Sequence, residues 1–128
     1  MACGNAKTNS TDSETTIEAT TDQTPTVKTL DQNDLASKME DKNVVVIDVR
    51  TPGEVASGYI KGTHKFLNIN DSNFETSINE LDKSKTYIMY CRSGARSGRA
   101  AGFMISNGFT DVYNLEGGIL NYTGDIAK

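Results

Sequence analysis

The sequence is poor in the residues that build metal sites and disulfide scaffolds, having one histidine and two cysteines among 128 residues. A single histidine excludes zinc sites built on histidine pairs, and neither Cys3 nor Cys91 has a second cysteine nearby to replace them. Two cysteines are also too few for a disulfide scaffold. The longest strongly apolar run covers only residues 44–47, far short of the ~20 residues that a membrane helix needs.

An excess of basic residues is also lacking, since 13 lysines and arginines face 17 acidic residues, for a net charge of −4. Binding to backbone phosphates requires a clustered Lys/Arg surface, so this balance argues against nucleic acid as a partner. It argues equally against an anionic membrane surface as the main partner. The length suits one small domain with its own core.

The first 26 residues differ in composition from the rest of the chain. Between Gly4 and Thr26, eight of 23 residues are threonine, and Ile17 is the only large aliphatic side chain. Such a segment buries too little apolar area to offset the entropy that it would lose on ordering. We therefore expect residues 1–26 to form a disordered tether rich in Thr and Ser, and residues 27–128 to form the folded domain.

The residues Met1, Ala2, Cys3 and Gly4 resemble the end of a bacterial lipoprotein signal, in which a small residue precedes the cysteine that receives the lipid. This motif, followed by a polar tether, predicts lipidation at Cys3. The protein would then lie in the cell envelope, periplasmic or membrane-anchored, and contact a membrane only through that anchor. The alternative is an incidental cysteine in a cytoplasmic protein.

From Val27 onward, predicted strands alternate with predicted helices. Short runs of β-branched and aromatic residues predict strands at 27–30, 44–49, 66–69, 86–91 and 111–115. Apolar side chains at helical spacing, with turn and cap residues, predict helices after Asp31, at 54–57, at 73–81, from Ala100 to Gly108 and from Ile119. This alternation predicts an α/β fold with a mostly parallel central sheet of about five strands and helices on both faces.

A polar loop follows the predicted strand that ends at Cys91. Ligands of parallel α/β sheets bind beyond the carboxyl ends of the strands, so the Cys91 sulfur lies where a site is expected. The loop residues, which we predict to bind the substrate, are Arg92, Ser93, Gly94, Ala95, Arg96 and Ser97. Their backbone N–H groups can form an anion nest, and the next helix adds the positive end of its dipole. With two arginines at the rim, this environment predicts a Cys91 pKa below its ordinary value.

Other interpretations of this loop are less consistent with its residues. Cys91 as a small buried hydrophobe would not require two arginines, two serines and a glycine in the next six positions. Arg99, further along the helix, is expected to be solvated. A cysteine phosphatase or arsenate reductase needs five residues between its cysteine and arginine, and only four separate Cys91 from Arg96. A thioredoxin-like role lacks the second cysteine of a Cys-x-x-Cys motif.

Three separated segments make the sequence resemble a single-domain rhodanese, a sulfurtransferase module. They comprise residues 46–54 with 58–62, residues 90–97, and the positions Gly108, Phe109, Val112, Leu115, Gly117 and Gly118. The resemblance implies a rhodanese-like fold and catalysis by Cys91, which takes a sulfur from a donor such as thiosulfate and passes it to a thiol or cyanide. It implies no cofactor and no metal, and we expect a monomer. A persulfide carrier or protein-binding module without efficient turnover is the alternative.

The first of these segments is expected to support the loop. Asp48 and Arg50 end a predicted strand near the same sheet edge as Cys91, and we expect them to orient the loop rather than to take part in the chemistry. Arg50 and Glu54 either pair across the turn or both stay solvated.

The sequence departs from the usual rhodanese pattern at three places. Between Gly62 and Asn68 the chain is two or three residues longer, and His64 within this stretch is expected to be a solvated loop residue, with a contribution to donor binding as the alternative. Tyr59 stands where the family often has His. Tyr122 stands where the last segment commonly ends in Trp, an aromatic exchange that we expect to preserve packing.

Overall fold

The computed structural model describes residues 25–128, so Cys3 and nearly all of the predicted tether lie outside the described residues. Within that range the strands are β1 (Lys28–Leu30), β2 (Val44–Asp48), β3 (Tyr59–Ile60), β4 (Lys65–Phe66), β5 (Thr86–Tyr90), β6 (Val112–Leu115) and β7 (Ile126–Ala127). The helices are α1 (Gln32–Met39), α2 (Pro52–Ala56), α3 (Phe74–Asn79) and α4 (Ala95–Ser106), and a 3₁₀ turn covers Ile119–Asn121. In this part of the chain no helix has the length and apolar character needed to cross a membrane.

A parallel sheet forms the centre of the described domain, with the strand order β1-β6-β5-β2-β4. β5 lies in the middle, where Ile88 pairs with Val46 of β2 on one side and with Tyr113 of β6 on the other. Parallel neighbours require crossover connections, which helices such as α4 between β5 and β6 supply. The predicted α/β class, with a parallel sheet of about five strands and helices on both faces, is confirmed.

Both faces of the sheet are buried, which explains why its central strands read as continuous apolar runs. Along β5, Tyr87 and Met89 pack on the side covered by α3 and α4, while Ile88 and Tyr90 pack on the side covered by α1. Cys91 continues the first series. Strand alternation therefore directs its side chain toward the α3 and α4 side, at the carboxyl end of the sheet.

The helix after Cys91 begins at Ala95, earlier than the predicted start near Ala100. Gly94 precedes it with a φ of 107°, a backbone conformation that glycine adopts without strain. Arg96 and Ser97 therefore lie in the first turn of α4 instead of in a loop. The prediction was wrong here because this first turn carries polar side chains, and the apolar pattern starts only at Ala100.

Two short elements also differ from the prediction. A separate antiparallel pair joins β3 to β7, with Ile60 opposite Ile126, and two-residue strands have no detectable period in the sequence. Helix α2 begins two residues before the predicted position because Thr51 and Glu54 form a capping box. Thr51 Oγ1 accepts from the Glu54 backbone N at 3.3 Å, and Glu54 Oε1 accepts from the Thr51 backbone N at 3.1 Å.

Candidate active site

Cys91 immediately follows β5 and has 1% of its surface exposed. Its Sγ accepts a hydrogen bond from the backbone N of Gly94 over 3.0 Å. Ser97, fully buried in the first turn of α4, places its Oγ 3.4 Å from the same sulfur. The chain therefore curls around the sulfur between positions 91 and 97, with the N-terminus of α4 directed at it.

Two opposing effects act on the pKa of Cys91. Burial raises this pKa, because a buried thiolate loses its hydration. Hydrogen bonds from the Ser97 hydroxyl and from the backbone N–H groups of Ser97, Gly94 and Ser93 lower it and outweigh the burial. The pKa of Cys91 is thus held below its ordinary value, in the direction that the loop composition predicted.

Asn114, on the neighbouring strand β6, connects the two residues that contact the sulfur. Its Nδ2 donates to the Gly94 carbonyl oxygen at 3.0 Å, and its Oδ1 accepts from Ser97 Oγ at 2.6 Å. This residue was not predicted from the sequence. The available signal was a polar amide inside a strand otherwise suited to burial, since such groups nearly always have specific partners.

The segment that contains Gly117 and Gly118 packs against the backbone of the Cys91 loop. The backbone N of Ile119 donates to the Cys91 carbonyl oxygen and that of Leu120 to the Arg92 carbonyl oxygen, both at 2.9 Å. Gly118 makes this approach feasible, because a Cβ at its position would lie 2.5 Å from the Arg92 oxygen and 2.6 Å from the Cys91 oxygen. With both carbonyl oxygens held on that side, the loop conformation is anchored by a segment far along the chain.

Arg96 is paired with a carboxylate and is not a mobile charge at the rim. Its Nη1 and Nη2 donate to Oε1 and Oε2 of Glu54 at 2.8 and 2.9 Å, a bidentate geometry. The hydrogen bonds from Arg96, together with weaker ones from Thr51, lower the pKa of Glu54 to about 2. The expectation that Glu54 pairs with Arg50 or stays solvated is therefore wrong, since its partner lies 42 positions further along the chain. Arg92 is exposed and has no ion-pair partner in the described part of the chain.

Asp48 and Arg50 form a buried ion pair at the end of β2. Arg50 Nη2 lies 2.7 Å from Asp48 Oδ2 and also donates to the Gly58 carbonyl oxygen at 2.7 Å. The guanidinium carbon lies 5.9 Å from the centre of the Tyr90 ring. Because Tyr90 directly precedes Cys91, the pair packs against the strand end from which the loop departs. Their orienting role in the reaction remains a prediction.

His64 is exposed, as expected, but it also makes a specific contact with the sheet. Its Nδ1 accepts from the Val46 backbone N at 3.0 Å, and its own backbone N donates to the Val46 carbonyl oxygen at 2.9 Å. The longer stretch between Gly62 and Asn68 contains β4, an outer strand of the parallel sheet. This stretch therefore extends the parallel sheet by one outer strand. A contribution of His64 to donor binding remains a prediction.

Tyr59 and Tyr122, the two aromatic departures from the rhodanese pattern, both pack against neighbours. The Tyr59 ring meets Phe66 edge to face, with ring centres 4.8 Å apart. Tyr122 packs against the core on the α1 side of the sheet, as an aromatic residue at this position is expected to do.

Comparison with known proteins defines the class to which this fold and site belong. The family described as rhodanese-like domain matches residues 31–125. A crystal structure of a rhodanese-like domain protein from Staphylococcus aureus has a TM-score of 0.67 and 30% identity, and the match covers 77% of this chain and 94% of that one. The chain belongs to the rhodanese-like domain family, and the identification made from its three sequence segments is confirmed.

Two relatives differ in how much of their length this chain matches. A sulfurtransferase of Allochromatium vinosum is 34% identical over 95 residues, which cover 73% of this chain and 86% of that protein. A tRNA uridine(34) hydroxylase of Pelagibacter ubique is 38% identical over 90 residues, which cover 70% of this chain but 30% of the hydroxylase. The first similarity spans most of both proteins, whereas the second concerns one part of a longer chain.

Proposed function

We propose that this protein is a sulfurtransferase that moves a sulfane sulfur from a donor such as thiosulfate to a thiophilic acceptor through a persulfide on Cys91. The observation that carries the proposal is the Cys91 sulfur beyond the carboxyl end of β5, 3.0 Å from the Gly94 backbone N and at the N-terminus of α4. The similarity to the A. vinosum sulfurtransferase over most of both chains supports the same class of reaction. We do not extend RNA hydroxylation to this chain, which matches less than a third of the hydroxylase.

In the first half-reaction the Cys91 thiolate attacks the outer sulfur of thiosulfate. A bond forms between Sγ and that sulfur, the sulfur–sulfur bond of thiosulfate breaks, and its electron pair leaves with sulfite. A thiolate and a dianion become a persulfide anion and a dianion, so the step needs no oxidant, reductant or proton. The backbone N–H groups of the loop stabilise the terminal sulfur as an oxyanion hole stabilises developing charge.

In the second half-reaction an acceptor attacks the terminal sulfur of the persulfide. Cyanide leaves as thiocyanate and a thiolate leaves as a new persulfide. In both cases the electron pair of the broken sulfur–sulfur bond returns to Cys91, which is again a thiolate. Atoms and charges balance, and the protein returns to its starting state.

The loop arginines are not equally prepared to attract a dianionic donor. Arg92 is exposed, and no carboxylate in residues 25–128 pairs with it. Arg96 is already held by both carboxylate oxygens of Glu54. We therefore assign the first encounter with the donor to Arg92, while Arg96 anchors the start of α4 to α2.

The test is steady-state release of sulfite from thiosulfate in the presence of cyanide, with Cys3 replaced by serine so that one cysteine remains. We expect turnover in Cys3→Ser and none in Cys3→Ser/Cys91→Ala. Arg92→Ala in the same background should raise KM for thiosulfate, while Arg99→Ala, which removes an exposed arginine from α4 beyond the loop, should leave KM unchanged. No sulfite release above the Cys91→Ala level would refute the proposal.

The same assay separates turnover from carriage. A persulfide carrier releases one sulfite per protein and stops, whether cyanide or thioredoxin is present or not. A sulfurtransferase continues when one of these acceptors is added. A single equivalent with every acceptor would contradict efficient turnover and favour the carrier.

For the location, we propose on the Ala-Cys-Gly motif that Cys3 carries a lipid and holds the protein in the cell envelope. Labelling with a lipid precursor in the native host, from the full-length gene, tests this. We expect label in the unchanged protein and none in Cys3→Ser, and equal absence of label from both would refute the anchor.

A further inference from the structure

The single hydroxyl proton of Ser97 has two possible hydrogen-bond acceptors that compete for it. Ser97 Oγ lies 2.6 Å from Asn114 Oδ1 and 3.4 Å from Cys91 Sγ, and one O–H group can donate strongly to only one of them. The two contacts are therefore alternatives, and the shorter one goes to Asn114.

The orientation of the Asn114 amide follows from its second contact. The Gly94 carbonyl oxygen can only accept, so the amide group 3.0 Å from it must be the Nδ2 donor. Oδ1 must then face Ser97, and because it can only accept, the proton between Oδ1 and Ser97 Oγ comes from the serine. While the Ser97 proton points to Asn114, an oxygen lone pair is free to accept the S–H of a neutral Cys91.

A charged sulfur reverses this arrangement. A thiolate or persulfide anion has no proton to donate to Ser97 and is itself a strong acceptor, so the hydroxyl gains by turning toward it. Turning breaks the bond to Asn114 Oδ1. Asn114 thus competes with the charged sulfur for the proton of Ser97.

We propose that Asn114 is a positioning residue that holds the Ser97 hydroxyl proton while Cys91 is a neutral thiol and releases it to the sulfur when the sulfur becomes charged. The inference rests on the proposed function only in taking Cys91 as the nucleophile. The competition keeps the thiolate from being overstabilised, which matters because the nucleophilicity of a thiolate falls as its pKa falls.

The experiment is a double-mutant cycle on the pH profile of Cys91 alkylation by iodoacetamide, in the Cys3→Ser background. The four proteins carry no further change, Ser97→Ala, Asn114→Ala, or both. Loss of the Asn114 bond to Gly94 acts equally with and without the serine hydroxyl, so the cycle subtracts it and isolates the effect exerted through Ser97.

We expect Asn114→Ala to shift the pH midpoint of alkylation further downward when Ser97 is present than in the Ser97→Ala background. Without Asn114, the Ser97 hydroxyl can donate its proton to the sulfur alone. Below the midpoint, the coupling should correspond to about a threefold or larger gain in alkylation rate. A purely structural role would loosen the loop in both backgrounds and give zero coupling. Zero coupling, or coupling of the opposite sign, would overturn the proposal.

A second cycle with Asn114→Asp keeps the test decisive if the alanine variant does not fold. A carboxylate holds the Ser97 proton more strongly than an amide does, so the coupling should have the opposite sign. The cycle subtracts direct repulsion between the new carboxylate and the sulfur. Asn107→Ala is the matched control, since Asn107 also donates from Nδ2 to a carbonyl oxygen, that of Phe103, at the far end of α4. Its profile should match the parent.

The other charged groups near this sulfur are unchanged in every arm of the cycles. Arg96 of α4 interacts with the Cys91 charge and is paired with Glu54 of α2. The ion pair of Asp48 and Arg50 lies at the end of β2, and the exposed Arg92 belongs to the loop itself. Since alkylation requires no sulfur donor, failure of this inference is distinguishable from failure of the proposed function, which sulfite release reports.

Discussion

Replacing Gly118 with alanine tests whether the last glycine pair anchors the cysteine loop. Gly118 has a φ of 60° and a ψ of −160°, a region of backbone space that is essentially restricted to glycine. An alanine Cβ would lie 2.5 and 2.6 Å from the carbonyl oxygens of Arg92 and Cys91, which are backbone atoms with little freedom to move. The variant must therefore distort its own backbone and push the loop away.

The cost of this substitution has two parts. Backbone strain at such a position contributes about 1–3 kcal/mol. Separating the segments also breaks the 2.9 Å hydrogen bonds from Ile119 N to Cys91 O and from Leu120 N to Arg92 O, each worth about 1 kcal/mol. We therefore expect Gly118→Ala to lower the free energy of unfolding by about 3–5 kcal/mol.

Urea unfolding followed by circular dichroism measures the effect, and Gly102→Ala is the matched control. Gly102 lies inside α4, and apart from its chain neighbours and the backbone of its own helix no atom lies within 4 Å of a Cβ built at its position. Alanine there should raise stability by about 0.5–1 kcal/mol through helix propensity. If the free energy of unfolding of Gly118→Ala lies within about 1 kcal/mol of the parent value, the expected backbone strain and the anchoring role are both wrong.

Two further substitutions test the ion pair and a buried tyrosine. Glu54→Gln should cost about 1 kcal/mol at pH 7 because it removes the partly exposed pair with Arg96. Since the Glu54 pKa is lowered from 4.5 to about 2, the difference should shrink as the pH falls between these values, and a constant difference in urea titrations would contradict the pairing. Tyr90→Phe should cost about 1–3 kcal/mol, because the buried Ile60 N–H loses the acceptor that it now has at 3.1 Å. Tyr113→Phe, which removes a half-buried hydroxyl, should cost clearly less, and equal losses would contradict this account.

The sheet and the cysteine loop could be predicted from the sequence because both are encoded over short stretches. The mainly apolar runs 44–49 and 86–91 indicate strands buried on two faces, and parallel strands bring their carboxyl ends to one edge. Cys91, Gly94 and Ser97 are close in sequence, so their grouping around the sulfur could be predicted from local spacing. The direction of the Cys91 pKa follows from the same local features.

The features that were missed depend on contacts between distant parts of the chain. Glu54 could pair with any nearby arginine, and only the packing of α2 beside the start of α4 selects Arg96 over Arg50. Asn114 reaches the loop because β6 lies beside β5 in the sheet. The sequence of a single strand does not reveal which strand will be its neighbour. The role of Gly118 likewise became visible only when its distance to the loop carbonyl groups was known.

The central claim is that the Cys91 sulfur accepts and holds one sulfur atom. The most direct measurement is mass spectrometry of the peptide that contains Cys91 after treatment with thiosulfate, comparing Cys3→Ser with Cys3→Ser/Cys91→Ala. This account predicts a gain of one sulfur atom on the Cys91 peptide, which cyanide then removes, and no gain in the alanine variant. No gain on Cys91, or the same gain in both proteins, would contradict it.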